Sequence, residues 1–173
     1  RQSQKYLDAR AVALPHYQSA QLRWSIHELL GDMQHCRGFE SYLAAEASPA
    51  VKALRRFQLA DRLAGIYSQY LVYRPDWLQA WEDRNFSCAG GKTPESERLG
   101  RLWHKLQSRL GNHRGHAMQN LVQTLNENPQ ERSVLHVFGV SHLAPSEIGV
   151  LRAYAAYGLV ALYLPDPCRV FWG

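Results

Sequence analysis

Residues 48–77 read SPAVKALRRFQLADRLAGIYSQYLVYRPDW, which is the longest helical pattern in the chain. Ser48 can cap a helix, and Pro49 fits the first helical turn. From there apolar residues recur at steps of three and four, which predicts one long amphipathic helix. Pro75 disfavours the helical conformation at Arg74, so we expect the helix to end there. The predicted buried stripe consists of Leu59, Leu63, Ile66, Tyr70 and Tyr73.

Shorter helices are predicted on both sides of this stretch by the same periodicity. Thr93-Pro94 is a second helix start, and Gly111 is the expected C-terminal stop of that helix. The other predicted helices are residues 20–33, 38–47 and 76–82 and the segment with the stripe Met118, Leu121, Val122 and Leu125.

The last third of the chain has a different pattern. Val134–Phe138 and Leu159–Leu164 are predicted strands, and the segment Pro145–Tyr157 between them is a predicted helix. This order and spacing predict a βαβ unit with parallel strands. Because two parallel strands need further strands and cover on both faces, we expect the rest of the sheet outside this chain. The expected fold class is therefore mainly α with a C-terminal βαβ unit, which is part of an incomplete α/β core.

Composition and charge set broad limits on the class of protein. The chain has 173 residues, of which 46% are hydrophobic and 20% are charged, as in ordinary globular proteins. No apolar run approaches the ~20 residues that span a bilayer, so we expect no membrane partner. The net charge of +5 permits contact with nucleic acid without demonstrating it.

The cysteines and the chain ends lead to two further expectations. Cys36, Cys88 and Cys168 include no CxxC pair, so we expect free thiols of an intracellular protein rather than a disulfide framework. The chain starts without a methionine and closes on Phe171 and Trp172, whereas natural termini are usually polar. We therefore expect that the parent chain continues.

No complete catalytic or metal site is predicted. Ala89–Thr93 looks like the end of a phosphate-binding loop, but position 86 is Phe86 where the pattern requires glycine. No carboxylate follows the first predicted strand, and Asp166 after the second is interpreted as a turn residue. The histidines lack cysteine or carboxylate neighbours at metal-binding spacing, so we expect them to be surface or hydrogen-bonded residues.

The segment Gln69–Trp77 alternates aromatic residues with Arg74 at a helix break, and it allows two interpretations. In the first, it is a joint between two helices in which Arg74 pairs with an acid such as Asp76. In the second, Arg74 lies at an exposed helix terminus and contacts a phosphate or a base edge. Composition favours the first interpretation and leaves the second open.

Three further features of the chain are distinctive: Gln69–Trp77, Tyr163 with Asp166-Pro167-Cys168-Arg169, and Phe171-Trp172-Gly173. These stretches resemble the RecC family, the gamma subunits of exodeoxyribonuclease V in the RecBCD complex, within a similarity that runs from about Trp24 to the end. The resemblance implies a superfamily 1 helicase-like fold that has lost its ATPase motifs. Residues 1–130 would be the helical domain inserted in the core, similar to domain 1B of these helicases. Residues 131–173 would be the strand-helix-strand part of the core.

The resemblance also implies a function and candidate residues. The family binds and splits the DNA end and scans one strand for the hotspot sequence Chi. Arg74 matches an arginine of the strand-scanning channel, and His113-Arg114 resembles a second channel position before a helix. Ile66 matches a channel leucine. Gly65 and Ser68 stand where well-known members carry acids, so the sequence that is recognised can differ here.

The leading hypothesis is thus a non-catalytic DNA-binding module of a bacterial, cytoplasmic RecBCD-type enzyme. Its partners would be single-stranded or forked DNA and RecB-like and RecD-like subunits, and ATP and Mg would be used by those subunits, with no cofactor in this chain. Two alternatives stay open. One is a structural module that docks partner subunits without touching DNA, and the other is a helicase fragment with its own ATP hydrolysis, against which the missing motif residues argue.

Overall fold

A computed structural model describes residues 17–32, 37–43 and 48–165. In chain order the elements are helices α1 (Ser19–Leu29), α2 (Glu40–Leu43), α3 (Pro49–Tyr73), α4 (Pro75–Glu82), α5 (Pro94–Leu110) and α6 (Arg114–Glu127), strand β1 (Leu135–Phe138), helix α7 (Pro145–Ala155) and strand β2 (Val160–Tyr163). The predictions for Cys36, Cys168, Asp166 and the closing aromatic residues lie outside the described residues. The architecture is mainly helical with a small parallel sheet, as expected.

The described chain divides into two compact units. One comprises the described part of residues 17–115, and the other comprises residues 116–165. We refer to them as the helical unit and the C-terminal unit. The predicted domain boundary after residue 130 stays a prediction.

The helix starts follow local capping chemistry. The Ser48 hydroxyl accepts a hydrogen bond from the Val51 N–H at 3.4 Å, with Pro49 as the first helical residue. At α5, Thr93 and Ser96 form a reciprocal pair in which each backbone N–H donates to the other's hydroxyl, at 3.0 and 3.1 Å. Such bonds satisfy amide groups that have no partner within the helix, which explains why both starts could be predicted.

The core of the helical unit is built by α1, α3, α4 and α5, which present large apolar side chains to one another. Tyr67 and Trp103 lie at its centre, with ring centroids 5.1 Å apart and no exposed surface. The fully buried aliphatic residues of this core include Leu22, Ile26, Leu78 and Leu106.

The buried stripe of α3 differs in phase from the predicted one. Leu63 is buried as predicted, but Leu59, Ile66 and Tyr70 are only partly buried and Tyr73 is 47% exposed. The residues of α3 that the core covers are Ala60, Leu63, Ala64, Tyr67 and Leu71. The prediction counted large apolar residues and overlooked the two alanines, whose small side chains allow α1 to approach closely.

The C-terminal unit contains the predicted βαβ arrangement. Strands β1 and β2 pair in parallel, with Leu135 opposite Val160 and Phe138 opposite Tyr163. The rings of Phe138 and Tyr163 stack at 4.3 Å between centroids on a solvent-exposed face. The expectation that further strands outside this chain complete the sheet stays a prediction. Among the described residues, no helix combines the length and apolar character that crossing a membrane requires.

Candidate nucleic-acid interface

Arg74 is the single residue that joins α3 to α4. It ends α3 by donating its N–H to the Tyr70 carbonyl at 2.9 Å, and it directly precedes Pro75, the first residue of α4. Its backbone angles, φ −136° and ψ 50°, lie outside the helical region. This conformation follows from the sequence, because the proline ring excludes the helical conformation from the preceding residue and is itself suited to a first helical turn.

The Arg74 side chain is held in a fixed plane by its neighbours. Nε and Nη2 donate to the two carboxylate oxygens of Asp76 at 3.1 and 2.8 Å. The guanidinium carbon lies 3.8 Å from the centroid of the Trp77 ring. The hydrogen bond from Arg74 lowers the pKa of the Asp76 carboxyl and raises that of the guanidinium. The ion pair expected in the first interpretation of this segment is therefore present, and 37% of the Arg74 side chain is still exposed.

Arg114 lies at the first position of α6, on a segment that contacts the joint between α3 and α4. It is exposed, whereas the residue before it, His113, is 1% exposed. A Cβ atom on Gly115 would lie 3.3 Å from the Cβ of Pro75. The Pro75 ring therefore packs closely on the backbone of Gly115. The fold brings together two arginine-bearing segments that are about 40 residues apart in sequence.

Next to Arg114, the preceding residue His113 belongs to a largely buried polar cluster centred on Glu82, the last residue of α4. Its Oε1 accepts a hydrogen bond from Trp103 Nε1 at 3.1 Å and lies 2.6 Å from His113 Nε2. Its carbonyl oxygen lies 2.9 Å from His104 Nδ1. Burial and the negative charge of Glu82 raise the pKa of Tyr17, whose neutral hydroxyl donates to the Gly111 carbonyl at 2.6 Å.

The other three candidate residues lie on different sides of α3. Successive helical residues are ~100° apart, so Ile66 and Ser68 point to nearly opposite edges of the helix. Ile66 is partly buried against the core on the edge that carries Tyr70. The Ser68 hydroxyl is buried and has no hydrogen-bond partner among the described residues. Gly65 lies on the exposed face between them, so these three residues do not form one surface.

Gly65 has no steric reason to be glycine. No atom lies within 4 Å of a Cβ built at this position, and the helical backbone does not need a positive φ here. We therefore expect Gly65→Ala to raise the free energy of unfolding by about 0.5–1 kcal/mol, because glycine costs that much within a helix. Urea unfolding followed by circular dichroism measures this change.

Gly100→Ala is the matched control for that substitution, in the middle of α5. A Cβ there would lie 2.5 Å from a ring atom of Phe86 and 3.1 Å from one of Trp81. We expect this variant to lose stability by about 1–3 kcal/mol through overpacking. A loss of stability in Gly65→Ala would contradict the open environment seen at that position.

Sequence reasoning missed the cluster around Glu82. The sequence placed Glu82 only at the end of the predicted helix 76–82. It predicted His113 to be a surface or hydrogen-bonded histidine beside Arg114, without a partner for its ring. Glu82 and His113 are 31 positions apart along the chain, and no local motif links them. A weak signal existed, because a carboxylate at a helix C-terminus opposes the helix dipole and calls for another partner.

Charge is unevenly distributed between the two units. Basic residues outnumber acidic ones in residues 17–115, whereas acidic residues slightly outnumber basic ones in residues 116–165. Within residues 17–165, the net positive charge is thus carried by the unit that contains Arg74 and Arg114. Such a charge excess favours a polyanionic partner at that unit.

Comparison with known proteins identifies the family. The family model described as "RecC, N-terminal domain" matches residues 2–173, and the chain belongs to this family. The RecBCD enzyme subunit RecC of Escherichia coli (strain K12) is 32% identical over 127 residues, which cover 68% of this chain and 11% of that protein.

Other RecC subunits show the same relationship. The protein of Haemophilus influenzae is 22% identical over 195 residues, covering 96% of this chain and 17% of that protein. The protein of Mycolicibacterium smegmatis is 33% identical over 122 residues, covering 68% of this chain and 10% of that protein. The chain therefore spans less than a fifth of the length of these relatives.

Proposed function

We propose that this chain is a non-catalytic DNA-contacting module of a RecC-like subunit. In this proposal it works within a RecBCD-type exodeoxyribonuclease V in double-strand break repair, and it forms part of a channel that scans one strand for Chi. The observation that carries the proposal is the close approach of Gly115 to Pro75, because these residues directly follow the exposed Arg114 and the half-exposed Arg74 on the basic unit.

The surroundings of Arg74 suit a single strand better than a buried structural role alone. Proteins that bind single strands combine cations for the phosphates with aromatic faces for the bases. Trp77 covers one face of the Arg74 guanidinium, which keeps its fork of donors in one orientation. Asp76 competes with a phosphate for that fork, so it tunes the strength of the contact. An exposed ion pair of this kind contributes little to stability and can be exchanged for a phosphate contact.

The remaining parts of the proposal follow from family membership. RecB-like and RecD-like subunits would be the partners, and they would use the ATP and Mg, with no cofactor in this chain. The parallel strands β1 and β2 with α7 would belong to a helicase-like core that other parts of the parent protein complete. The assembly would work in the bacterial cytoplasm. Gly65, Ile66 and Ser68 do not share one surface, so of these three the proposal assigns the channel contact to Ile66, whose exposed part would pack against a base.

The test is a charge series on single-strand affinity. We expect Arg74→Ala and Arg114→Ala each to weaken binding of a fluorescein-labelled oligothymidylate by about five- to tenfold, and to reduce the salt slope by ~0.7. Asp76→Asn should strengthen binding, because it removes the carboxylate that competes for Arg74. Fluorescence anisotropy across a salt titration measures both affinity and slope. In a complete RecBCD-type enzyme carrying the same changes, the arginine variants should also lose their response to Chi.

Arg152→Ala is the matched control, since Arg152 is an exposed arginine of the C-terminal unit. We expect its affinity and salt slope to equal those of the unsubstituted chain. Equal losses in Arg152→Ala and Arg74→Ala would indicate nonspecific charge attraction. Unchanged affinity and Chi response in both Arg74→Ala and Arg114→Ala would mean that the assigned role is wrong.

A docking function is the second candidate, and one observation favours it. Phe138 and Tyr163 form an exposed aromatic stack on one face of the sheet, with the exposed apolar residue Leu162 on the same strand as Tyr163. Such surface is normally covered in a complete assembly. In this reading the chain buries that face against other parts of the parent protein or its partner subunits, and the arginine variants leave DNA affinity unchanged.

A further inference from the structure

His113 caps helix α6 with its imidazole ring. Its Nδ1 accepts a hydrogen bond from the N–H of Gly115, the second residue of the helix, at 2.9 Å. A side chain before the first helical residue that accepts from the second amide is an N-cap. Because Nδ1 accepts, the ring proton resides on Nε2, which donates to Glu82 Oε1 at 2.6 Å. Both ring nitrogens are thus occupied.

Glu82 fixes the ring of His113 through the hydrogen bond to Nε2. The same carboxylate oxygen also receives the Trp103 Nε1–H, so it connects α4, α5 and the start of α6. Glu82 lies at the C-terminal end of α4, where a negative charge is unfavourable for the helix. The position of Glu82 is therefore explained by the hydrogen bonds that it accepts from Trp103 and His113, because its charge does not stabilise α4.

Gly115 allows the ring to fit closely. A Cβ at Gly115 would lie 2.7 Å from Cε1 and 2.9 Å from Nδ1 of His113, and 3.3 Å from the Cβ of Pro75. The imidazole and the proline therefore meet the backbone of residue 115 directly. Arg114 lies between a buried residue on one side and this tightly packed glycine on the other, so its backbone has little freedom.

We propose that His113 is a positioning residue for Arg114. Glu82 fixes the imidazole, the imidazole caps α6, and the cap holds the Arg114 backbone beside the Arg74–Pro75 joint, where its guanidinium meets a phosphate of a single strand. This inference rests on the proposed function, since it assigns to His113 the placement of one of the two DNA-contacting arginines. The alternative is that His113 only fills space in the core.

Two substitutions separate the two hydrogen bonds of the ring. In His113→Asn, the side-chain carbonyl can still accept from the Gly115 N–H, since asparagine is a preferred N-cap, but it is too short to reach Glu82. In His113→Gln, the longer amide can reach Glu82 but does not cap the helix. We expect His113→Gln to weaken oligothymidylate binding by about fivefold, the factor that corresponds to the loss of one cap. His113→Asn should bind with an affinity within about twofold of that of the unsubstituted chain.

A double-substitution cycle distinguishes positioning from packing. If His113 acts through Arg114, His113→Gln has no further effect on affinity in an Arg114→Ala background and its full effect in an Arg74→Ala background. Equal losses in both backgrounds would show that His113 acts through general stability. An affinity loss in His113→Asn as large as that expected for His113→Gln would show that the cap does not position Arg114. Because this outcome is read from His113→Asn alone, it can be tested even if His113→Gln does not fold.

Amide hydrogen exchange supplies a readout without DNA. We expect the Gly115 amide to lose protection in His113→Gln and to keep it in His113→Asn, measured by NMR below the unfolding temperature of each variant. The Gly115 amide can show this pattern of protection while Arg114→Ala binds oligothymidylate as tightly as the unsubstituted chain. In that case the proposed function is wrong, but His113 does cap α6. If Gly115 keeps full protection in His113→Gln, the positioning inference is wrong whatever the DNA result.

Discussion

Trp103→Ala is expected to lower the free energy of unfolding of the helical unit by about 3–5 kcal/mol, the range for removing a buried indole. Trp103 has no exposed surface, and its ring lies 5.1–5.9 Å from those of Tyr17, Tyr67 and His113. The substitution therefore leaves a cavity where four aromatic rings meet. It also removes a hydrogen-bond donor to Glu82, whose side chain is only 12% exposed.

Trp103→Phe separates the two contributions. Phenylalanine restores most of the ring volume but cannot donate to Glu82, so we expect a loss of about 1–2 kcal/mol. Urea unfolding monitored by circular dichroism measures both variants. A loss below about 1 kcal/mol for Trp103→Ala would mean that this aromatic group is not the centre of the core.

Arg132→Ala is expected to destabilise the C-terminal unit by about 3 kcal/mol or more, because one guanidinium serves the ends of two helices. Nη1 donates to the carbonyls of Ala153 and Tyr154 at 2.8 and 3.0 Å, in the last turn of α7. Nη2 donates to the carbonyl of Asn128 at 2.9 Å, just after α6, and to that of Leu125. A positive charge at two helix C-termini is also favoured by both helix dipoles.

Lysine cannot reproduce this arrangement, since a single ammonium group lacks the planar fork that reaches separate carbonyls. We therefore expect Arg132→Lys to lose nearly as much stability as Arg132→Ala. Arg152→Ala, at an exposed arginine of α7, should stay within about 0.5 kcal/mol of the parent. Hydrogen exchange measured by mass spectrometry on α6 and α7 reports the unit separately. Protection in Arg132→Ala equal to that of the control would contradict the bridging role.

Local features of the fold could be predicted from sequence. The helix starts at Ser48-Pro49 and Thr93-Pro94 depend on side chains bonded to amides three residues away, so the information is contained in a few neighbouring letters. The break at Arg74 has the same local origin. The parallel pairing of β1 and β2 follows from the length of the segment between them, which is too long for a hairpin.

Features that depend on distant packing could not be predicted. The phase of the α3 stripe was wrong because Ala60 and Ala64 are buried by α1, and small residues carry little weight in an apolar count. In the candidate site, the ion pair between Arg74 and Asp76 could be predicted because the two residues are only two positions apart. The approach of Gly115 to Pro75 depends on the tertiary packing of the helical unit, so the proximity of the two arginine segments needed the structure.

The single-residue joint at Arg74 has a consequence for how this family can vary in length. Since Tyr73 ends one helix and Pro75 begins the next, the joint contains no spare residue. One inserted residue would turn α4 by ~100° relative to α3 and carry Leu78 and Trp81 away from the core. We therefore expect natural insertions and deletions to be absent here and, where they occur nearby, to fall at the exposed turn of Gly90 and Gly91. Alignments of relatives should be free of gaps across the joint even where residue identities diverge.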